Sequence, residues 1–437
     1  MGIKRVVLAG AIVASVVVGA SACSSGSGSG SGGSGTTLTY WASNQGTSIQ
    51  NDKDVLTPVL KKFTKQTGIK VNLEVIGWND LQTRIQTAVT SGQGPDVVNI
   101  GNTWASSLQA TGAFLPLDSA AMKTIGGKAK FVPTALQTGG APGKTLTSVP
   151  LYGLAYGLYY NKAMFKDAGL QPPTTWEDLV TDAQKLTNPA KKVYGFSLAA
   201  GSYTENAHFA FINASQNGAD LFDSKGDPTF TGEGVITGIK RYLDLMQTDK
   251  VVNTSNAQFD NGTQAVNAFA TGKAAMILNQ NNADASIKAN GMASDAYGVV
   301  PFPAPDGAQK IATFPAGINL SVFKNTKNQA GALKFVKYMT SASTQATLDK
   351  PYAALPVLAG ATASFTDNPA EAKTFLSIYN TMAKPLPLVP AEDQFESTVG
   401  KAMNDEFAKI ATGGTVTESD IKSDLQDAQD QVSAAIG

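Results

Sequence analysis

The sequence predicts an α/β protein of two lobes. Three observations carry that expectation. The chain has 437 residues, more than one hydrophobic core usually organises. Strand and helix periodicities alternate from residue 38 onward. Predicted strands repeatedly run into polar loops, the place where open α/β sheets put their ligands. Hydrophobic residues at 42% and charged residues at 16% describe a globular chain with a lightly charged surface. The formal charge is zero, and removing Lys4 and Arg5 with a leader leaves the basic residues two short of the 34 acidic ones. No electrostatic footprint for nucleic acid is present, so a neutral ligand is the better expectation.

Residues 1–22 have the plan of an export signal: Lys4 and Arg5, an apolar run from Val6 to Gly19, then Ala20, Ser21 and Ala22. Cys23 follows at once and is the only cysteine, which excludes an internal disulfide and a cysteine-rich metal site. Its placement resembles the lipobox of bacterial lipoproteins, which implies a lipid on the Cys23 sulfur and retention at the outer face of a membrane. The rest of residues 23–37 is a tether of Ser, Gly and Thr, whose ends would average about 20 Å apart.

The body begins with an apolar strand from Leu38 to Trp41 and a polar loop that holds Asn44 and Gln45. Val55, Leu56, Val59, Leu60 and Phe63 share one helical face, Gly68 ends that helix, and Val71, Leu73 and Val75 alternate as a strand. This is a β-α-β unit, which implies a parallel pair with a right-handed crossover. Leu81, Ile85, Ala88 and Val89 repeat at helical spacing behind Asn79 as a cap, and Gly92, Gly94 and Pro95 stop the helix. A buried strand over Asp96–Ile100 then delivers Gly101, Asn102, Thr103 and Trp104 to the sheet end. Further strands are expected at Leu158–Tyr160, Tyr194–Leu198, Ala274–Leu278 and Tyr297–Phe302. Capping boxes are expected at Thr174/Glu177 and Thr417/Asp420. The C-terminal part reads as helical, with Phe395, Val399, Met403 and Phe407 on one face.

Taken in order, several segments resemble one family. They are Phe63–Val71 (FTKQTGIKV), Gly92–Val98 (GQGPDVV), Tyr159–Lys162 (YYNK), Pro173–Trp176 (PTTW), Gly272–Met276 (GKAAM), Gly317–Asn319 (GIN) and Ala332–Phe335 (ALKF). The chain resembles the extracellular solute-binding proteins of carbohydrate ABC transporters, the broad family of maltose-binding protein. That resemblance implies a two-lobed clamp with three crossovers, near Gly153, Val299 and Thr340. It divides the body into lobe 1 (38–152 and 299–342) and lobe 2 (153–298 and 343–437). It also implies a monomer that needs no cofactor, closes over a sugar or oligosaccharide, and passes it to the ABC permease subunits.

Sugars offer hydroxyl arrays and weakly apolar ring faces, so their pockets combine amides, carboxylates and aromatic rings. Candidates from the first lobe are Asn44 and Gln45, or else a solvated loop, and Asn102 and Trp104, the latter as a stacking ring or a packing residue. From the second come Tyr156, Tyr203, Glu205, Asn206, Asn281 and Asn282; the last two stand where maltose-binding proteins carry an aromatic. Gly317, Asn319 and Tyr352 complete the set. An inverting or retaining glycoside hydrolase would need two facing carboxylates, for which Glu205 with Asp80 or Glu392 could be nominated. A surface adhesin is a third reading. His208 is the sole histidine, which rules out a His-rich zinc site, and Gly232-Glu-Gly234 lacks dinucleotide-binding spacing.

Overall fold

The computed structural model describes residues 37–362 and 365–436. The leader, Cys23 and nearly all of the tether lie outside the described residues. The body has two sheets. The first has the order β2 (Lys70–Ile76), β1 (Thr37–Ser43), β3 (Val97–Gly101), β9 (Ala316–Val322), β4 (Ser148–Leu154). The second runs β6 (Tyr194–Ser197), β7 (Ala274–Gln280), β5 (Tyr156–Asn161), β8 (Tyr297–Val300).

The expected β-α-β unit is present: β1 pairs in parallel with both β2 and β3. Both sheets are mixed, however. β9 returns to the first sheet from the other lobe, so it enters antiparallel to β3 and β4. In the second sheet β6 and β7 are parallel, and β5 is antiparallel to β7 and β8. The helix Ile49–Thr67 ends at Gly68, whose left-handed backbone (φ 74°) any side chain would strain. It packs Phe63 edge-on against Phe335, 5.3 Å between centroids, beneath β1. The second core gathers Leu158, Phe196, Phe209, Tyr242 and Phe395 around its own sheet.

Two local details differ from expectation. The helix Trp78–Ser91 is capped by Gly77, not Asn79. The first capping box is Thr175 with Asp178, one residue later than Thr174/Glu177, because the Asp178 carboxylate reaches back to both threonines. The Thr417/Asp420 pair forms as read. The turn GQGPDV braces the first sheet: a Cβ on Gly94 would stand 2.8 Å from the Phe323 ring, and Asp96 accepts from the Thr39 amide at 2.7 Å.

The chain passes between the sheets at Ala155, which separates β4 from β5. The second passage lies over residues 301–315, just beyond Val299, which still pairs with Tyr159 in β8. The third lies beyond Thr340. Leu348, Tyr352 and Leu358 still pack in the first core, whereas Ala353, Leu355 and Phe365 join the second. The passages are tied together. Gly153 and Leu355 exchange backbone hydrogen bonds at 3.0 and 2.8 Å, and Thr313 accepts from the Tyr156 amide at 3.0 Å.

Candidate functional site

The carboxyl ends of β1, β3 and β7, together with the start of β9, face one cavity of about 430 Å³ between the two sheets. From the first side it is lined by Asn44 to Thr47, by Trp78 and Asp80 at the head of their helix, by Gly101 to Trp104, and by Gly317. From the second side come Tyr156, Ser202 to Glu205, His208, Asp260 to Thr263, Asn279, Gln280 and Asn282.

The 44–47 loop is held from below. Asp52 is fully buried in the helix that follows, accepts from Asn44 Nδ2 at 2.6 Å, and accepts from the Gly46 amide at 2.9 Å. Gln45 is 7% exposed, and its Nε2 donor has no protein partner. An unpaired buried donor is costly, so a ligand acceptor at that position would be favoured. Asn102 closes the end of β3 onto the second passage by donating to Pro315 O at 2.7 Å. Gly317 is a glycine for packing: a Cβ there would meet Tyr152 O at 2.3 Å in the neighbouring strand.

Trp104 is both a wall residue and a packed one. It lines the cavity, yet it is only 4% exposed, packs edge-to-face on Trp78 at 5.6 Å, and donates from Nε1 to Glu396 Oε2 at 3.0 Å. Opposite stands the Tyr203–Gln216 helix, capped by Ser202, whose first turn carries Tyr203 and Glu205. Burial pushes the Glu205 carboxyl up to about 7, although the Gly262 amide donates to it and pulls the other way. Gly262 opens the helix Gly262–Ala270, and a Cβ there would lie 2.6 Å from Glu205 Oε1 and 2.9 Å from Asn279 Nδ2. Asn279 Nδ2 is a second buried donor without a partner. Asp80, Glu205 and Asp260 put carboxylates on the wall, and no lysine or arginine lines it among the described residues.

Nine of the sequence candidates thus share the cavity: Asn44, Gln45, Asn102, Trp104, Tyr156, Tyr203, Glu205, Asn282 and Gly317. Four lie outside it. Asn206 is fully buried and donates to Ala200 O and Asn404, joining two helices. Asn281 accepts from the Ala155 amide at 2.7 Å and donates to Ala353 O, which stitches the first passage to the third. Asn319 donates to Thr138 O and Ser148 Oγ, both at 3.0 Å. Tyr352 packs edge-on against Tyr152 at 5.2 Å inside the first core. Each is a polar group spent on the protein's own backbone or core. Glu392, nominated for a hydrolytic pair, is fully buried away from the cavity.

Sequence reasoning missed Asp260 to Thr263, which follow a short 3-10 helix (Thr254–Gln258) rather than a strand. The available signal was the helix start Asn261-Gly262, with Asn261 accepting from the Thr263 amide at 3.0 Å. It also left His208 out of the binding candidates. His208 is 7% exposed, but it lines the cavity and bonds Tyr156 OH through Nδ1 at 2.9 Å.

The profile of the bacterial extracellular solute-binding protein family matches residues 46–346. The chain belongs to that family. A multiple sugar-binding protein of Streptococcus mutans is 28% identical over 306 residues, covering 67% of this chain and 70% of its own. A solute-binding protein of Thermotoga lettingae, solved with α-D-tagatose, superposes with a TM-score of 0.78 at 22% identity, over 91% of this chain and 99% of that one. The maltotriose-binding protein of Thermus thermophilus, solved with maltotriose, gives 0.71 at 22% identity, over 92% and 100%. These neighbours share the two-lobed α/β fold, and the family is one of binding proteins.

Proposed function

We propose that this solute-binding protein takes an uncharged sugar of one or a few rings into the cavity between its lobes and delivers it to the membrane subunits of an ABC importer. The observation that carries the reading is the wall itself. Amides from both sides, two of them buried donors without protein partners, converge with Glu205 and the rings of Trp104, Tyr156 and Tyr203. That mixture suits hydroxyls and ring faces, and the absence of a lining cation among the described residues disfavours phosphate and carboxylate ligands. A cavity of about 430 Å³ is in the range of small-molecule sites. Because residues of both lobes line it, a sugar would contact the full set only when the lobes are shut, and its differential affinity would favour the shut form. The similarity to a multiple sugar-binding protein supports the same class of cargo. Cys23, behind its signal-like leader, would carry the lipid that tethers the protein outside the membrane, as a monomer.

Calorimetry against a panel of neutral mono- and oligosaccharides tests this, with reducing ends assayed alongside. Binding of at least one sugar at 1:1 stoichiometry without turnover is expected. Release of reducing ends would replace the reading with a glycoside hydrolase, and silence across the panel would leave an adhesive role in its place.

A further inference from the structure

One buried hydrogen-bonded chain joins the two lobes through the cavity wall. Trp104, from the first lobe, donates through Nε1 to Glu396 Oε2 at 3.0 Å. Glu396 belongs to the helix Glu392–Ala411, whose Phe395 and Val399 are part of the second core, and it is 1% exposed. Its other oxygen, Oε1, lies 3.3 Å from His208 Nε2, and His208 Nδ1 lies 2.9 Å from Tyr156 OH. A carboxylate can only accept, so Nε2 donates to Glu396, and Nδ1 and Tyr156 OH share a hydrogen bond whose direction depends on the ring's tautomer. The lobes also meet through Tyr203 OH to Gln82 at 3.4 Å and Gln86 to Asp393 at 3.5 Å, which are longer and less buried.

We propose that Glu396 is a positioning residue: it fixes the Trp104 ring in the cavity wall and, through the same bond, latches the two lobes in the arrangement seen here. Separating the lobes must break the bond from Trp104 to Glu396, and the contact of Thr103 beside it, while leaving the bond to His208 intact, because Trp104 and Thr103 both come from the other lobe. The charged form of Glu396 is the latching form. Burial pushes its carboxyl up, but donation from His208 and Trp104, with Thr103 nearby, outweighs this and holds it below the ordinary range. The other groups facing it are Glu392 and Asp393 of its own helix, with Tyr156 and Tyr203 from the elements packed against it. Glu392 is fully buried; burial first, and the charge of Glu396 second, push its carboxyl far up, which disfavours a second carboxylate competing for the donors. The sign follows: opening removes a donor and raises the Glu396 pKa, so the shut form is favoured above it and acid favours the open form.

The test needs no sugar. In the full chain carrying Cys23→Ser, a pair of spin labels at Lys62→Cys and Lys185→Cys, exposed helical positions on opposite lobes, reports the interlobe distance by pulsed resonance. The latch predicts that Trp104→Phe, which keeps an apolar ring and loses the donor, shifts the open-to-shut ratio toward open by about ten- to a hundredfold. Glu396→Gln keeps an accepting oxygen but loses the charge, so it should shift the ratio the same way by less, about two- to thirtyfold, and the double variant should add little to Trp104→Phe alone. As pH falls below the ordinary carboxylate range, the parent should open while Trp104→Phe stays unresponsive. Circular dichroism confirms folding of each variant, and Trp104→Phe alone suffices if Glu396→Gln does not fold. Distance distributions that coincide with the parent's at neutral pH, or single effects that sum in the double variant, would overturn the proposal. A failed sugar screen would touch only the proposed cargo, since the latch is read without ligand.

Discussion

Replacing Glu205 by Gln should change sugar affinity in a pH-dependent way. Its carboxyl stands in the cavity wall, pushed up to about 7 by burial, with the Gly262 amide as its counterweight. At pH 8.5 most of it is ionised and accepts hydroxyl hydrogens as a charged partner, a bond of about 1.5–3 kcal/mol against about 1 kcal/mol for a neutral one. The difference of about 0.5–2 kcal/mol corresponds to a loss of about two- to thirtyfold for Glu205→Gln at that pH. At pH 5.5 the carboxyl is protonated and the amide nearly matches it in shape and polarity, so the two proteins should converge to within about threefold. Parent affinity therefore rises with pH through about 7, while the variant's stays flat. Calorimetry at four pH values with the best sugar from the panel measures both curves. Parallel curves, or a variant that loses as much at pH 5.5 as at 8.5, would refute the role assigned to the charge.

Three further outcomes follow from the same geometry. Gly262→Ala should weaken sugar binding by more than about tenfold, because its Cβ displaces both Glu205 Oε1 and Asn279 Nδ2, while calorimetric melting shows a folded protein. Asn281→Ala should lower stability by about 2–4 kcal/mol in urea titrations, since it strands the Ala155 amide and the Ala353 carbonyl at the passages; an unchanged midpoint would contradict the bracing role. Glu406→Gln should raise the melting temperature at pH 8.5 and leave it nearly unchanged at pH 5. Burial, with Asp424 and Asp420 beside it, pushes this carboxyl up to about 8, so the folded state holds a proton that the unfolded state has released. Stability is thus lost as pH climbs from about 4.5 towards 8, at about 1.4 kcal/mol per unit of pKa shift, and the amide removes that loss.

Much of the fold was legible because periodicity is local. Val55 to Phe63 could form only one helical stripe, and Val97 to Ile100 had to be a buried strand once glycines and proline had ended the helix before it. The passages were not legible in the same way. Whether Val299 belongs to one lobe or the other depends on its pairing with Tyr159, and whether Leu348 and Tyr352 do depends on a core built mostly from residues more than two hundred positions earlier. The site divides along the same line. Asn44, Asn102 and Trp104 could be placed because a strand points its following loop at the cleft. Asn206, Asn281 and Asn319 were misassigned because an amide near a strand end serves a ligand or the backbone equally well, and only the positions of Asn404, Ala353 and Thr138 decide between them. The bond from Trp104 to Glu396 spans 292 residues of sequence and leaves no local trace.

The central claim is that one sugar is held by both lobes at once. Titrating the best sugar from the panel into the parent, Asn44→Ala and Asn282→Ala tests it most directly, because these side chains line the cavity from opposite sides. The account predicts a single 1:1 site in the parent and a loss of about fivefold or more from either substitution, as expected for removing one neutral hydrogen bond. Loss confined to one lobe's substitution, or affinity untouched by both, would contradict it.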